Sequence, residues 1–342
     1  MGETISQKCK RLFHEIEVNI DPKASLVKKV LILVDFAVEY QFHGAYLLDY
    51  IQYDFYSKKR HEREKYVVHG KLLEMMRVCN NPKHRYIFDQ KPEFNTAFAR
   101  YLKRDWIDVK KKSYDDFSKF VNTKDSFFAK QPDGMFGTGV EKVFVKDIID
   151  LHKLYADYCH REILCEETLT QCKEMMEFNA TSINTLRVVS MVKADGKVEI
   201  MGGLLRVGRK GRIADNFHHH GICAFIDPVT GIVCTPGVDK NHDCHIIHPD
   251  SKKKIVGFQI PIWKEVVDAI KNAALEFPDM RYIGWDAVIT KDYEVALIEG
   301  NPGADPDAEQ ITTKEGRWPY YEKHLKNIRR LKKHTLLEVK HD

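Results

Sequence analysis

Apolar residues in the first hundred positions recur every three or four residues, the spacing of one face of an α-helix. The spacing is clearest over residues 26–37, 46–55 and 67–76, with few glycines or prolines inside the runs. It predicts a mostly helical N-terminal region over residues 1–105, in which no catalytic grouping is apparent.

Shorter apolar runs replace this pattern in the next part of the chain. They alternate with a glycine-rich turn and one helical segment, and together they predict a compact α+β lobe over residues 106–165. The predicted elements are strands at 126–130, 142–145 and 163–165 and a helix at 145–155.

The rest of the chain is richest in strands. A larger lobe is predicted over residues 166–318, followed by a basic helix over residues 319–342. Within the larger lobe, the predicted strands span 184–192, 198–207, 222–226, 232–234, 282–289 and 295–299, and the predicted helix spans 261–277.

Composition places these elements in a soluble globular protein. The 342 residues are 43% hydrophobic and 30% charged, a balance that excludes a largely disordered or fibrous chain. The net charge is only +4, so no nucleic-acid partner is indicated. The sequence shows no signal-peptide core and no run long enough to span a bilayer. Eight cysteines are scattered without a CxxC pair, which favours reduced thiols in a cytoplasmic protein.

Three oxygen-bearing side chains near the end of the larger lobe form the strongest candidate site. Asp286 lies on one predicted strand, and Glu299 and Asn301 lie two residues apart on the next, so that these two point to the same face. A hairpin brings Asp286 alongside them. Two carboxylates and an amide oxygen suit Mg²⁺, whose coordination substrate phosphates and water complete. Ordinary acids on an exposed hairpin are the alternative.

A lysine followed by glycines forms the second candidate. Lys130 ends a predicted strand and leads into a turn that contains Gly134, Gly137 and Gly139. Backbone N–H groups in such a turn can close on phosphate oxygens, and the ammonium adds a positive charge. The turn is neither a Walker P-loop nor a Rossmann fingerprint. Taken alone, a plain surface hairpin is the simpler interpretation.

Three further residues complete an order along the chain that resembles the ATP-grasp superfamily. Lys91 precedes a predicted helix, and Glu166 and Glu167 follow an apolar strand; each is ordinary by itself. Together with Lys130, the glycine turn and the three oxygen donors, they are similar to D-alanine–D-alanine ligase over residues 88–303. The resemblance implies an α+β, ATP-grasp fold, in which two lobes clasp ATP, behind a mostly helical N-terminal region.

The resemblance also implies roles for these residues. Lys91 and Lys130 resemble the lysines that hold the ATP phosphates, with the glycine turn as a lid. Residues 163–167 resemble the hinge whose backbone binds adenine, with the glutamates at its end. The three oxygen donors keep the family's spacing of thirteen and then two residues. They imply Mg²⁺ as the metal, with Mn²⁺ as a substitute.

A narrower resemblance covers more of the chain. It is to the sugar-transfer-associated ATP-grasp proteins, which occur in bacterial capsule and cell-surface polysaccharide gene sets. The helical pattern of residues 40–80 also resembles theirs. The segments that carry the resemblance are 182–187, 205–208, 215–217, 226–231, 248–250 and 283–286.

Two positions depart from the wider family. D-alanine–D-alanine ligase has an arginine two residues before the first metal-binding aspartate, where this chain has Gly284. Arg187 and Arg206, on neighbouring predicted strands, are the candidates to grip the acceptor and the intermediate, because arginine pairs with a carboxylate through two hydrogen bonds. A strand arginine in a salt bridge is the alternative. Residues 215–221 read Asp-Asn-Phe-His-His-His-Gly in place of the usual Asp-Asn-x-x-x-Gly-Gly, a change expected to affect the acceptor site.

Two other features have simple explanations. The histidines and cysteines of residues 218–248 lack the paired spacing of a structural zinc site, so loop histidines near an acceptor or phosphates are the favoured interpretation. The basic run at 323–333 is typical of a helix with a solvated face, with a membrane or glycan-lipid surface as the alternative.

The predicted activity is that of an ATP-dependent carboxylate–amine ligase, which forms an amide through an acyl phosphate and releases ADP. Family analogy places it in bacterial surface polysaccharide synthesis, with a sugar-linked carboxylate such as a uronic acid and an amine as substrates. Peripheral association with glycan-assembly enzymes would fit that setting. The alternatives are a kinase that phosphorylates a hydroxyl and a non-catalytic nucleotide-binding module of a glycan-assembly complex.

Overall fold

The computed structural model describes residues 5–131, 139–211 and 221–338, which fold into helices and two antiparallel sheets. The helices are α1 (Ile5–Asn19), α2 (Leu26–Val38), α3 (Leu47–Gln52), α4 (Arg60–Arg63), α5 (His69–Cys79), α6 (Arg85–Asp89), α7 (Lys91–Ala97), α8 (Ala99–Leu102), α9 (Tyr114–Asn122), α10 (Leu151–His160), α11 (Lys173–Met176), α12 (Trp263–Ala274), α13 (Asp307–Thr313) and α14 (Trp318–Glu338). The strands are β1 (Trp106–Asp108), β2 (Ser126–Lys130), β3 (Val140–Phe144), β4 (Leu164–Glu167), β5 (Leu186–Val192), β6 (Val198–Val207), β7 (Ile222–Ile226), β8 (Gly237–Val238), β9 (Cys244–His245), β10 (Tyr282–Ile289) and β11 (Val295–Asn301). Shorter helical turns lie at Glu39–His43, Phe55–Ser57, Pro82–His84, Val109–Lys111 and Val145–Asp147.

The N-terminal region is helical, as its apolar spacing predicts, and contains α1 to α8. Its first part has an aromatic core of its own that includes Tyr50, Tyr53, Phe55 and Tyr66. Its second part packs against the larger sheet, with α5 on one face and α7 and α8 on the other. Among the described helices, none is both long enough and apolar enough to cross a membrane.

The smaller sheet has the strand order β1-β4-β2-β3. Strand β1 and helix α9 are absent from the sequence prediction; β1 has only three residues, too few to show an alternating pattern. The helix expected at 145–155 begins at Leu151, because the Asp150 side chain caps it by accepting a hydrogen bond from the Lys153 N–H. Glu166 and Glu167 lie inside β4 rather than behind it.

The larger sheet has the order β11-β10-β5-β6-β7-β8-β9. The strands predicted at 198–207, 222–226 and 282–289 are found with those bounds as β6, β7 and β10. The expected strand at 232–234 forms only isolated bridges, since its two partners belong to separate segments of the chain. Strands β8 and β9 and helix α13 are elements that the apolar pattern missed, and both of these strands are only two residues long.

The two faces of the larger sheet are covered differently. Trp285 and Leu297 point to the face that α7, α8 and α12 cover. Tyr282 and Met191 point to the other face, where they pack against α5 and α14. Because side chains alternate along a strand, Asp286 lies on this second face, beyond the end of the apolar cluster. The candidate metal ligands therefore sit where the sheet is not sealed by helices α5 and α14.

Gly231, in the turn that follows β7, lies against Trp263, the first residue of α12. Gly231 has a φ of +74°, and a Cβ there would overlap the Trp263 ring. We expect Gly231→Ala to lower the free energy of unfolding by about 3 kcal/mol, from left-handed backbone strain and overpacking together.

Gly196 provides the matched control for that substitution. It has a similar φ of +80°, but nothing lies within 4 Å of its Cβ position. Gly196→Ala should therefore cost only about 1 kcal/mol of backbone strain. Urea denaturation of both variants measures the difference, and equal losses would contradict tight packing at Trp263.

Candidate functional site

Asp286 and Glu299 face each other across the β10–β11 pair, as direct register partners. Asp286 is buried, whereas Glu299 is exposed although the surrounding protein still limits its hydration. This restricted hydration, and then the Asp286 charge, raise the pKa of Glu299, while Arg187 and Lys130 act in the opposite direction. Two carboxylates held this close together form an attractive position for a cation.

Two arginines hold Asp286 from the neighbouring strands. Arg187, its register partner on β5, donates from Nε to Oδ1 at 2.6 Å and from Nη2 to Oδ2 at 3.0 Å. Arg206 on β6 donates from Nη1 to both oxygens at 3.3 Å. Burial alone would raise the pKa of Asp286, but the charges of Arg187 and Arg206 outweigh it and lower that pKa. The structure thus brings both predicted arginines to the first predicted metal ligand.

Gly284 leaves room for the Arg187 side chain. A Cβ at Gly284 would overlap the Ala304 side chain and would come within 3.2 Å of both Cδ and Nη1 of Arg187. The Arg187 side chain therefore occupies the space beside Gly284 that a larger residue at that position would fill.

Asn301 lies opposite Gly284 on the same pair of strands. Its Oδ1 accepts a hydrogen bond from the Gly303 N–H at 2.9 Å and retains a second lone pair. In the described ranges, here or elsewhere, no three His, Cys, Asp or Glu side chains are grouped so that they could hold a metal, so this site depends on an amide oxygen as its third donor. Two opposed carboxylates and one amide oxygen are hard donors, and this donor set fits Mg²⁺.

Glu166 is the centre of a buried charge cluster and is only 3% exposed. Its Oε2 accepts hydrogen bonds from Lys130 Nζ at 2.5 Å and from Arg104 Nε at 3.0 Å, and its Oε1 accepts from Asn95 Nδ2 at 2.8 Å. Burial alone would raise the pKa of Glu166, but the charges of Arg104 and Lys130 outweigh it and hold that pKa well below the usual value. The Glu166 side chain is thus an ionised internal counter-ion of Lys130.

Glu167 points away from this cluster, as the next residue along a strand must. Its Oε2 accepts a hydrogen bond from the Asp105 N–H at 3.0 Å and lies 3.6 Å from Lys124 Nζ. The two glutamates of the predicted hinge therefore do not form one side-chain site. Their assignment to adenine binding rests on the β4 backbone alone.

The two candidate phosphate lysines approach the same region from different elements. Lys91 is the first residue of α7, and Asn95, one turn later, donates to the carboxylate that binds Lys130. Residues four apart share a helix face, so Lys91 lies on the side of α7 that faces Glu166. The Lys130 charge also acts to lower the pKa of Glu299, which restricted hydration and the Asp286 charge raise overall.

The glycine turn is described only at its end. Gly139 has a φ of +70°, and its carbonyl accepts a hydrogen bond from the Gln131 N–H at 3.1 Å, which closes the β2–β3 hairpin. Gly134 and Gly137 lie outside the described residues, as do the histidines at 218–220. Their predicted roles stay predictions.

Arg104 and Asn95 are the participants that the sequence did not reveal. They lie 62 and 71 residues from Glu166 along the chain. Arg104 stands between a lysine and an aspartate, which is typical of a solvated segment, and Asn95 lies in a short helix. The one available signal is that charged residues immediately precede a short apolar strand.

Comparison with known proteins identifies a family to which the sequence matches. A family model described as sugar-transfer associated ATP-grasp matches residues 76–325. No curated protein matches the sequence significantly.

Solved structures with a similar fold are distant. The ATP-grasp ligase PsnB, complexed with a minimal precursor, is 14% identical with a TM-score of 0.45, over 73% of this chain and 63% of its own. D-alanyl-alanine synthetase A from Vibrio cholerae is 12% identical with a TM-score of 0.43, over 73% of this chain and 67% of its own. The RiPP-associated ATP-grasp ligase of Chryseobacterium gregarium, in complex with ADP and a leader and core peptide, is 12% identical with a TM-score of 0.44, over 72% and 61%. The matched region thus spans less than two thirds of the first of these structures.

Removing the charge of Glu166 tests the buried cluster. Glu166→Gln should lower the free energy of unfolding at neutral pH by about 3 kcal/mol, because Arg104 and Lys130 lose their shared counter-ion. Folding lowers the Glu166 pKa, so its stabilisation is complete above the ordinary value of 4.5 and is lost as the pH falls below it. The stability difference between wild type and variant, measured by urea titration, should therefore shrink in acid.

Glu167→Gln is the matched control for this substitution. The Glu167 side chain is 36% exposed, and its nearest cation is 3.6 Å away. We expect a loss below about 1 kcal/mol, with little dependence on pH. A Glu166→Gln loss as small as this one would show that the cluster contributes no net stability.

Proposed function

Because the chain belongs to the sugar-transfer-associated ATP-grasp family, we propose that it is an ATP-dependent carboxylate–amine ligase. The observation that carries the proposal is that Asp286 and Glu299 oppose each other across β10 and β11, and that the charge of Lys130 acts on Glu299. A cationic group suited to phosphate thus accompanies a pair of carboxylates suited to Mg²⁺. That combination is what transfer of a phosphoryl group from a nucleotide requires.

The reaction proceeds in two balanced steps. An oxygen of the acceptor carboxylate forms a bond to the γ-phosphorus of ATP, and the bond to the β–γ bridging oxygen breaks, so ADP leaves. The amine nitrogen then attacks the carbonyl carbon of the acyl phosphate, phosphate departs, and the amine loses a proton. Phosphorylation is needed because hydroxide is a poor leaving group.

The residues of the site suit the first step. Lys91 and Lys130 supply fixed positive charge near the phosphates, and Glu166 keeps Lys130 in place. Asp286, Glu299 and Asn301 would hold Mg²⁺, which neutralises phosphate charge when it is bound. Gly139, at the end of the glycine turn, accepts a hydrogen bond from Gln131 next to Lys130, and we assign the turn the role of a lid that excludes water, as the family resemblance implies.

Arg187 and Arg206 suit the acceptor side. Both side chains are largely buried, 11% and 15% exposed, on the face that carries Glu299. Their present partner is the carboxylate of Asp286, which Arg187 binds at two points, and this supports a role in binding a carboxylate group. We assign them to orient the acceptor acid and to stabilise negative charge on the intermediate.

The biological setting follows from the family and extends the proposal. We assign the substrates to a small or sugar-linked carboxylate, such as a uronic acid, and an amine used in cytoplasmic steps of bacterial surface polysaccharide synthesis. Two of the solved structures with a similar fold are complexes with a peptide. A peptide carboxylate is included as one arm of the substrate screen.

The product of the reaction distinguishes the ligase from other ATP-grasp activities. We expect ADP release from ATP and Mg²⁺ to require both an acid and an amine, in a screen of uronic acids and acidic peptides. Hydroxylamine in place of the amine should trap the acyl phosphate as a hydroxamate, detectable by mass spectrometry. A phosphorylated hydroxyl would instead identify a kinase, and no ATP turnover with any acid would indicate a binding module.

A single substitution tests the metal assignment. Glu299→Gln should reduce ADP release with the substrates found in that screen at least about 100-fold, since the opposed carboxylate pair is lost while the side-chain shape is kept. Circular dichroism should remain unchanged.

Glu294→Gln, in the hairpin before β11, is the matched control. Its carboxylate is exposed and pairs with Lys103 at 2.9 Å. The control should keep wild-type turnover. Wild-type turnover in Glu299→Gln would remove the metal site from the proposal.

A further inference from the structure

A β-bulge shapes the edge strand directly before Glu299. Asp286 pairs with Glu299 and the next residue, Ala287, pairs with Leu297, so Ile298 has no partner of its own across the pair. A bulge of this kind bends its strand and turns the neighbouring side chains. The direction in which Glu299 points therefore depends on how the bulge is held.

One buried side chain contacts the backbone at this bulge. Arg104 donates from Nη1 to the Leu297 carbonyl at 2.6 Å, and its Nη2 lies 3.5 Å from the Ile298 carbonyl. Strand β11 is at the edge of the larger sheet, so carbonyls on its outer side have no strand to bind them. The guanidinium supplies the donors that a neighbouring strand would otherwise provide.

The same guanidinium reaches the smaller sheet through its third nitrogen. Arg104 Nε donates to Glu166 Oε2 at 3.0 Å, and that oxygen also accepts from Lys130 Nζ at 2.5 Å. Three bonds therefore run without interruption from the backbone before Glu299 to the ammonium of Lys130. No other described hydrogen bond of Lys130 competes with this one.

Arg104 cannot itself meet a substrate, because its side chain is only 1% exposed. We propose that Arg104 is a positioning residue that fixes the separation between Lys130, on the phosphate side of the site, and Glu299, on the metal side. The proposal rests on the proposed function. It requires the planar fork of arginine, because the ammonium of lysine is a single point that cannot bind a carboxylate and two carbonyls in fixed directions.

If Arg104 has this role, its replacement should weaken the effect of Mg²⁺ on nucleotide binding. Calorimetric titration with the non-hydrolysable analogue AMPPNP, with and without Mg²⁺, gives two dissociation constants for each protein. Their ratio is the factor by which Mg²⁺ strengthens nucleotide binding. In wild type we expect a large ratio, because Lys130, which binds the nucleotide, and Glu299, which binds the metal, are held at a fixed distance. Arg104→Lys should reduce the ratio at least about fivefold, and Arg104→Met should reduce it further.

Arg100→Met is the matched control. Arg100 lies four residues earlier, is 67% exposed and pairs with Glu276 at the surface. Its ratio should stay within about twofold of wild type. A purely structural defect lowers the number of binding sites per protein molecule and leaves the ratio unchanged, so stoichiometry separates the two effects even when Arg104→Met folds poorly.

The outcomes separate this role from the proposed function. A wild-type ratio in folded Arg104→Lys would overturn the positioning role and leave the ligase assignment intact. A wild-type protein that binds no AMPPNP in the presence of Mg²⁺ would overturn the proposed function and the role of Arg104 with it. A reduced ratio at full stoichiometry in Arg104→Lys, beside an unchanged Arg100→Met, supports the proposal.

Discussion

The site depends on the requirement that a buried charge have a partner. Ionised carboxylates at Glu166 and Asp286 are held among strands where water is scarce, and each is stable there only because two cationic side chains face it. The result is two clusters of alternating charge, one in each sheet. The charge of Lys130, in the first cluster, also acts on Glu299, which faces Asp286 of the second cluster. Charge that is already fixed and paired in this way needs little rearrangement when a charged substrate arrives.

The two clusters differ in how much freedom they leave to a ligand. Glu166 is buried, and the described hydrogen bonds of its carboxylate are all to side chains of the protein. It therefore serves to hold Lys130 in position. Glu299 is exposed and its ionised form is disfavoured, so it gains most from a cation that binds beside it. Asp286 lies between these extremes, since it is buried yet shares a face with Glu299. In this site, buried side chains thus position their neighbours, whereas exposed side chains can bind a ligand.

The sequence predicted those parts of the molecule whose signals are local. The central strands of the larger sheet show clear apolar patterns, and the spacing of Asp286, Glu299 and Asn301 places them together once two strands form a hairpin. The pairing of Arg104 with Glu166 spans 62 residues and connects two sheets, so no local period announces it. The bulge at Ile298 is likewise invisible, because its neighbours continue an ordinary strand pattern. The features that the sequence did not predict are long-range tertiary contacts. These contacts orient the side chains of the candidate site.

The edge position of β11 explains why the long-range contacts are needed. An edge strand offers unpaired carbonyls and N–H groups, which would ordinarily invite another strand to pair. Here helices of the N-terminal region and the Arg104 side chain cover that edge, and Gly300 is small enough to let Phe88 and Phe94 pack against it. A site between two sheets needs a strand that is open on one side toward the smaller lobe. Covering the edge with side chains instead of another strand meets this need and leaves Glu299 exposed. The helical N-terminal region is therefore part of the site's construction, since it covers the strand that carries the candidate metal ligands.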